Sequence, residues 1–172
     1  MTGPHAEVAR VLAWVRAQAP DALRCDLHSD SRQVGAGDVF VAMPSAVAGG
    51  GHGRRYLAEA RRRGAAAALV EAEGFDGADA GLPVLPVAGL RRLLGQIAAR
   101  HYGLPGESMQ LVGVPGTNGK TSVSHWVAQL LSLGGTPCAV LGTLGAGFPG
   151  EPLQTAELTT PDAIALQRSV LR

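Results

Sequence analysis

The chain has 172 residues, enough for one large domain or two small ones. Its formal net charge of +1 gives no electrostatic reason to expect a nucleic acid or an acidic membrane surface as a partner. No apolar run approaches the roughly 20 residues of a membrane-spanning helix, and the N-terminus lacks the pattern of a signal peptide. The two cysteines, Cys25 and Cys138, have no metal-type spacing. We therefore expect a cytoplasmic monomer with reduced, partly buried thiols and no membrane insertion.

The first part of the chain alternates between helix and strand patterns. Pro4 suits the first turn of a helix, and the apolar residues that follow it recur at helical spacing. Short apolar runs bounded by glycine, proline or polar residues are typical of buried strands. The predicted elements are helices over 4–18, 54–63 and 90–101 and strands over 39–43, 65–70 and 83–87. Because strands and helices alternate, the predicted fold class is α/β.

Two polar segments interrupt this pattern. Asp30-Ser31-Arg32 is typical of an Asx or Ser turn that joins two strands, and taken alone it favours a turn over a binding role. The glycine-rich segment 44–53 has no periodicity and is predicted to be a mobile surface loop. The arginines over 54–63 are expected to form a solvated helix face rather than a nucleic-acid patch. Gly64 suits the end of that helix.

A change in composition marks a domain boundary. Residues 103–108 carry glycines and a proline that interrupt both periodicities, so we predict domains over 1–105 and 106–172. The second domain shows only a few elements. They are strands over 111–114 and 138–141, a helix that follows residue 119 and a helix near 162–171. Because a parallel sheet needs more strands and cover on both faces, we expect the sequence to end inside its second domain.

The segment Pro115-Gly-Thr-Asn-Gly-Lys-Thr-Ser122 joins a predicted strand to a predicted helix. Gly116 and Gly119 allow a backbone with positive φ close to a ligand, and the start of a helix adds about half a positive charge. Lys120 would reach the β- and γ-phosphates of a nucleotide, and Thr121 would offer its hydroxyl to Mg²⁺. The first glycine of the pattern G-x-x-x-x-G-K-[ST] is replaced by valine, and a glycine lies one residue earlier. We predict nucleotide binding; the alternative is a surface turn before a helix.

All of the 15 basic residues except one are arginine, and the single lysine is Lys120. A planar guanidinium cannot replace a compact ammonium inside a phosphate-binding loop, so this position favours phosphate binding over a plain turn. The five histidines, in contrast, show no ligand spacing. His125 is expected to pack or to face solvent rather than to act as a base.

Several segments, taken together, resemble the Mur ligase family. The loop at 114–121 resembles the ATP-binding loop of the Mur ligases and of their folylpolyglutamate synthetase relatives, which share the early glycine. Upstream segments resemble the UDP-binding N-terminal domain of the members that add the third or the final peptide unit. These segments are Asp30-Ser-Arg32, Gly37-Asp-Val-Phe-Val-Ala42 and Arg63-Gly-Ala-Ala-Ala67. Gly142-Thr-Leu-Gly145 and Leu158-Thr-Thr-Pro-Asp162 are similar to the type that adds the third residue of the peptidoglycan stem.

The resemblance implies an ATP-dependent ligase of peptidoglycan precursor synthesis. Its substrates would be UDP-N-acetylmuramoyl-L-alanyl-D-glutamate and an amino acid, either diaminopimelate or lysine, with ATP and Mg²⁺ as cofactors. ATP would phosphorylate the terminal carboxylate of the substrate, and the amine of the amino acid would attack the acyl phosphate. A small UDP-binding α/β domain would precede the start of a P-loop, parallel-sheet ATPase domain.

The resemblance also implies roles for individual residues. Lys120 and Thr121 would be catalytic, with Thr121 on the metal ion, and Ser31 would contact the uridine diphosphate. Thr159 and Thr160 would hold the muramoyl-peptide part. The ATP-binding residues would be Gly116, Thr117, Asn118, Gly119, Lys120, Thr121 and Ser122.

The sequence departs from the family pattern at several points. Pro115 stands where the family usually has threonine, which removes an N–H donor, and Leu158 stands where some members carry asparagine. The family's second metal site uses a carbamylated lysine, and Lys120 is the only lysine here. The domain that binds the incoming amino acid also lies outside this sequence, so we expect these residues alone to bind substrate weakly and turn over nothing.

The sequence leaves two alternative functions. The first is the ligase that adds the terminal D-Ala-D-Ala dipeptide, which shares the N-terminal pattern; the segment 158–162 argues against it. The second is a non-catalytic module that binds a UDP-sugar or a nucleotide.

Overall fold

The structure is a computed structural model that describes residues 3–19, 25–44, 51–77, 81–153 and 162–171. The chain divides into two compact units, Met1–Leu104 and Pro105–Arg172. Most of the loop predicted over 44–53 lies outside the described ranges. Within those ranges, no helix is long and apolar enough to cross a membrane.

A four-stranded parallel sheet forms the centre of the first unit, with neighbouring strands following chain order. Its strands are β1 (Leu27–His28), β2 (Val39–Ala42), β3 (Ala67–Glu71) and β4 (Val84–Val87). Every residue of β1, β2 and β3 is buried, as expected for strands that are covered on both faces. The strands predicted over 39–43, 65–70 and 83–87 are confirmed, with ends that shift by two residues at most.

Helices pack around this sheet. They are α1 (Pro4–Gln18), α2 (Leu57–Arg62) and α3 (Leu90–His101). Leu57 and Ala60 of α2 pack in one apolar cluster with Phe40 of β2. Because side chains alternate along a strand, Val39 and Val41 point to the opposite face, and both are buried. The helices predicted over 4–18 and 90–101 are confirmed, and the one predicted over 54–63 divides into a 3-10 turn and α2.

The Asp38 carboxylate connects the turn that precedes β2 to the segment around β1. Its Oδ1 accepts a hydrogen bond from the Asp26 N–H at 2.9 Å, and its Oδ2 accepts one from the Gly35 N–H at 2.8 Å. The same Oδ2 lies 3.2 Å from Nε2 of His28, whose side chain is buried. One carboxylate therefore fixes the turn that precedes β2 against the start of β1.

His52 caps the 3-10 turn that follows β2. Its Nδ1 accepts a hydrogen bond from the Arg54 N–H at 3.2 Å, and the Gly53 N–H donates to the Met43 carbonyl at 2.8 Å. Burial lowers the pKa of His52 below its ordinary value near 6.5, and the charge of Arg54 lowers it further, while Glu71 acts in the opposite direction. The imidazole is therefore neutral at pH 7, with its ring proton on Nε2.

The second unit has two helices and a hairpin within its described residues. These elements are α4 (Lys120–Leu133), β5 (Val140–Gly142), β6 (Gly145–Gly147) and α5 (Ala163–Leu171). β5 pairs antiparallel with β6, and it begins later than the strand predicted over 138–141. Both predicted helices are confirmed. Asp162 caps α5, because its Oδ1 accepts a hydrogen bond from the Ala165 N–H at 2.7 Å.

The strand predicted over 111–114 is wrong. These residues have no strand conformation, and Leu111 and Val112 are 71% and 68% exposed. The apolar stripe of α4 is also largely uncovered, with Trp126 63% and Leu130 70% exposed. Among the described residues β5 pairs only with β6, so the run at 111–114 has no neighbouring strand with which to exchange backbone hydrogen bonds. An apolar run forms a strand only beside such a neighbour.

Replacing Asp38 with alanine is expected to lower the free energy of unfolding by about 2–4 kcal/mol, because two backbone N–H groups lose their acceptor. Urea denaturation followed by far-UV circular dichroism measures the loss. Glu107→Ala is the control, since this carboxylate is exposed and its removal should change stability by no more than about 0.5 kcal/mol. Equal midpoints for Asp38→Ala and the wild type would contradict the role of Asp38.

Acid is expected to destabilise the first unit partly through His52. Its pKa is lower in the folded chain than in the unfolded chain, so its contribution to stability is complete above about pH 6.5 and is lost as the pH falls through the folded pKa. His52→Asn keeps a side-chain oxygen that can cap the turn but does not titrate. Between about pH 7.5 and pH 5.5, urea denaturation should show a larger loss of unfolding free energy for the wild type than for His52→Asn. Equal losses in the two proteins would refute this linkage.

Candidate functional site

The loop before α4 turns at two glycines. Gly116 has a φ of +142° and Gly119 has a φ of +76°, values that residues with a side chain rarely adopt. Gly119 is also the N-terminal cap of α4, so the loop passes directly into the first helical turn at Lys120. The predicted glycine turn into a helix is confirmed.

The backbone N–H groups at this turn have no acceptor within the described residues. Between Thr117 and Ser122 no N–H donates a hydrogen bond, and the first that does is the Val123 N–H, to the Gly119 carbonyl at 2.9 Å. A helix start leaves such groups unpaired, and their partial positive charges attract anions. No acidic side chain lies in the first turn of α4 to offset them. The turn therefore offers a set of donors to an anionic ligand.

Lys120 bends back over the loop that precedes it. Its Nζ donates hydrogen bonds to the carbonyl of Gly116 at 2.5 Å and to the carbonyl of Thr117 at 3.1 Å. The side chain is exposed, and no carboxylate of the described residues forms an ion pair with it. Among the described residues, the ammonium charge therefore stands beside amides that have no acceptor and has no counter-charge, which suits the binding of a polyphosphate.

Thr121 and Ser122 place two hydroxyl groups in the first turn of α4. Thr121 is half-buried and Ser122 is exposed, and neither hydroxyl makes a hydrogen bond to the rest of the described chain. The described residues contain no cluster of three or more His, Cys, Asp or Glu side chains that could hold a metal ion. A Mg²⁺ ion at this turn would need most of its oxygen ligands from a bound polyphosphate and from water, with the Thr121 hydroxyl as the protein ligand.

Ser31 lies at the carboxyl end of β1. It begins the 3-10 turn Ser31–Gln33 and is only 6% exposed. Its hydroxyl has no hydrogen-bond partner in the part of the chain that the structure describes. Ligands of parallel α/β sheets bind outside the carboxyl ends of the strands, so this serine lies at the edge where a ligand is expected.

Asp30 stabilises the turn that Ser31 begins. Its Oδ1 accepts a hydrogen bond from the Arg32 N–H at 2.9 Å, and its Oδ2 lies 2.6 Å from Nη2 of Arg32. The hydrogen bonds from Arg32 hold the pKa of Asp30 below its ordinary value, and the charge of Arg63 adds to the effect. The predicted Asx turn is confirmed. The ion pair was not predicted, because it depends on the conformation of the long Arg32 side chain at the turn.

The predicted site residues fall in both units. Residues 116–122 come together at the start of α4 in the second unit, whereas Ser31 lies in the first unit. Thr159 and Thr160 lie outside the described residues.

Two family models match the chain. The model described as Mur ligase family, catalytic domain, matches residues 27–102, and the model described as Mur ligase middle domain matches residues 114–172. The first match includes Ser31, and the second includes all of residues 116–122.

Curated relatives match most of the chain. The UDP-N-acetylmuramoyl-L-alanyl-D-glutamate--2,6-diaminopimelate ligase of Ralstonia nicotianae is 48% identical over 168 residues, which are 96% of this chain and 32% of the relative. The ligase of the same name from Pseudomonas putida is 48% identical over 151 residues, which are 87% of this chain and 30% of the relative. The chain therefore spans about a third of the length of these relatives.

Solved structures agree with these matches. A UDP-N-acetylmuramoyl-L-alanyl-D-glutamate--2,6-diaminopimelate ligase structure has a TM-score of 0.62 at 27% identity, over 85% of this chain and 28% of that chain. The MurF ligase of Thermotoga maritima in complex with ADP has a TM-score of 0.53 at 24% identity, over 88% of this chain and 30% of that chain, and this likeness shows the fold alone. The family models and the relatives lead to one conclusion: the chain belongs to the Mur ligase family.

Proposed function

We propose that this chain carries the substrate-binding and ATP-loop portions of a cytoplasmic, monomeric ligase that adds 2,6-diaminopimelate to UDP-N-acetylmuramoyl-L-alanyl-D-glutamate. The observation that carries the proposal is the turn at 116–122, where amides with no acceptor among the described residues lie beside the only lysine of the sequence. The names of the curated relatives support the choice of substrates and favour diaminopimelate over lysine. Residues 1–105 are assigned to the UDP substrate and 106–172 to ATP, and the division after Leu104 supports this boundary.

The reaction needs little covalent chemistry from the protein. An oxygen of the terminal carboxylate of the substrate attacks the γ-phosphorus of ATP, ADP leaves, and an acyl phosphate forms. The amine of diaminopimelate then attacks the acyl carbon, inorganic phosphate leaves with the bonding electrons, and the amine loses a proton as the amide forms. Negative charge moves toward the β-phosphate in the first step, so fixed donors and cations near the phosphates supply most of the catalysis.

Each residue of the turn has a proposed part in this chemistry. The amides between Thr117 and Ser122 hold phosphate oxygens, and Gly116 and Gly119 give the loop its shape. The Lys120 ammonium exchanges two neutral carbonyls for charged phosphate oxygens, which accept stronger hydrogen bonds. The Thr121 hydroxyl is the proposed protein ligand of Mg²⁺, which would supply positive charge to offset that of the phosphates.

The hydroxyl of Ser31 is proposed to donate a hydrogen bond to the uridine diphosphate part of the substrate. Three observations support this role: residue Ser31 is buried, its hydroxyl has no partner in the described chain, and it follows the carboxyl end of β1. Thr159 and Thr160 are proposed to hold the muramoyl-peptide part, on the strength of the family resemblance alone.

The ligase that adds the terminal dipeptide is the nearest alternative. Its support is the N-terminal sequence pattern that the two types of ligase share. A ligase that acts after the third residue has been added must accept the longer peptide. Calorimetric titration therefore separates the two functions: the proposed ligase should bind UDP-N-acetylmuramoyl dipeptide more tightly than the tripeptide form, and the reverse preference would favour the alternative.

Lys120→Ala is expected to weaken Mg-ATP binding by about 10- to 100-fold, since hydrogen bonds to charged groups are worth about 1.5–3 kcal/mol. Lys120→Arg should not restore binding, because a planar guanidinium does not fit among the loop carbonyls. Isothermal titration calorimetry measures both affinities. Each variant should keep the far-UV circular dichroism spectrum of the wild type, which controls for misfolding, and should bind the UDP-linked dipeptide like the wild type. Wild-type affinity of Lys120→Ala for Mg-ATP would remove the basis of the proposal.

Ser31→Ala is expected to weaken binding of UDP-N-acetylmuramoyl-L-alanyl-D-glutamate by about 5- to 10-fold, the value of one hydrogen bond of about 1–1.5 kcal/mol. The same calorimetric titration measures this change. Mg-ATP affinity should stay unchanged, because Ser31 lies in the other unit. An unchanged affinity for the UDP-linked dipeptide would show that Ser31 is not a substrate contact.

A further inference from the structure

The segment around Ser31 is built in an unusual way for an exposed turn. Only 6% of the surface of residue Ser31 is exposed, and its hydroxyl has no hydrogen-bond partner in the described chain. Its two neighbours are far more exposed, with side-chain exposures of 30% for Asp30 and 79% for Arg32. The Ser31 oxygen is not among the fully buried side-chain atoms of the described residues that lack a partner, so a ligand can reach it, and its position depends on how the neighbouring backbone is held.

Asp30 and Arg32 supply those contacts. The Asp30 carboxylate accepts a hydrogen bond from the Arg32 N–H at 2.9 Å. It also accepts from the Arg32 guanidinium, with Nε 3.0 Å from each carboxylate oxygen and Nη2 2.6 Å from Oδ2. One carboxylate is therefore bonded to both the backbone and the side chain of Arg32. These hydrogen bonds join the residue before Ser31 to the residue after it, and they therefore restrict the backbone of Ser31.

A neighbouring helix supports this arrangement. α2 packs against the 3-10 turn Ser31–Gln33, and Arg63, the residue that follows α2, lies close enough for its charge to act on the Asp30 carboxylate. Two guanidinium groups therefore favour the ionised form of Asp30. Ion pairs on a surface contribute little to stability by themselves, so the more direct effect of this arrangement is on the geometry of Ser31.

We propose that Asp30 is a positioning residue that holds the Ser31 hydroxyl toward the uridine diphosphate part of the substrate, and that Arg32 braces Asp30 rather than binding the diphosphate itself. This inference rests on the proposed contact between Ser31 and the substrate. An arginine beside a serine in a substrate-binding segment would ordinarily be assigned to the phosphates. Here the carboxylate of Asp30 engages both Nε and Nη2 of Arg32, which argues for the brace.

Substitution of Asp30 distinguishes a brace from a diphosphate ligand at Arg32, because the two roles predict opposite changes in affinity for the UDP-linked dipeptide. Asp30→Asn keeps an oxygen for the Arg32 N–H but removes the charge that holds the guanidinium. If Arg32 is a brace, Asp30→Asn should weaken binding of UDP-N-acetylmuramoyl-L-alanyl-D-glutamate by about 2- to 3-fold, and Asp30→Ala by about 5- to 10-fold. If Arg32 binds the diphosphate, its release in Asp30→Asn should strengthen binding, and that result would overturn the proposal.

A double substitution distinguishes positioning from a general loss of structure. In the Ser31→Ala background, Asp30→Ala should cause no further loss of affinity, because the hydroxyl that it positions is already absent. A further loss of 5-fold or more, on the order of one hydrogen bond, would mean that Asp30 acts in some other way. Mg-ATP affinity should stay constant in every variant, which monitors the fold of the second unit.

The test also separates this inference from the proposed function. No effect of Ser31→Ala on the UDP-linked dipeptide would remove the substrate contact itself, and the positioning role would fall with it. A loss of affinity in Ser31→Ala with wild-type affinity in Asp30→Ala would keep the substrate contact and refute the positioning role.

Discussion

A parallel sheet requires cover on both of its faces, and this constraint accounts for the contrast between the two units. In the first unit α2 packs on one side of β2, and the alternate residues of the strand are buried on the other side. The carboxyl ends of the strands then lie on one edge, where Ser31 begins its turn. In the second unit Leu111 and the stripe of α4 are exposed among the described residues, and the loop keeps its shape through its glycines and the helix start.

The sequence predicted the first unit well because its signals there are local. The strand over 39–43 is a short apolar run between a glycine turn and a proline, and β2 occupies it almost completely. The run at 111–114 has a similar composition, yet it forms no strand. The difference lies in the presence of β1 and β3 beside β2, and a partner strand is tertiary information that no window of sequence contains. The cap by His52 was also not predicted, since histidine is not among the preferred capping residues.

In the candidate site, too, some features follow from local sequence and others depend on tertiary contacts. The positions of Gly116, Gly119 and Lys120 relative to a helix pattern are fixed by sequence, so the turn and its donors could be predicted. The hydrogen bonds from the Lys120 ammonium to the loop carbonyls could not be predicted, because they depend on the conformation of a long side chain. The burial of residue Ser31 could not be predicted either, since α2 packs against the turn that Ser31 begins. The roles of these residues in binding are proposals that rest on this geometry.

The single lysine has a practical consequence for chemical labelling. Lys120 carries the only side-chain amine of the sequence, and that amine is exposed. A reagent that modifies amines therefore has one side chain to attack, and a phosphorylated aldehyde would be drawn to it by the neighbouring donors. Peptide mapping distinguishes label on the α-amino group from label on Lys120, and the extent of labelling at Lys120 would then report whether the loop is occupied, without any need to separate a mixture of modified lysines.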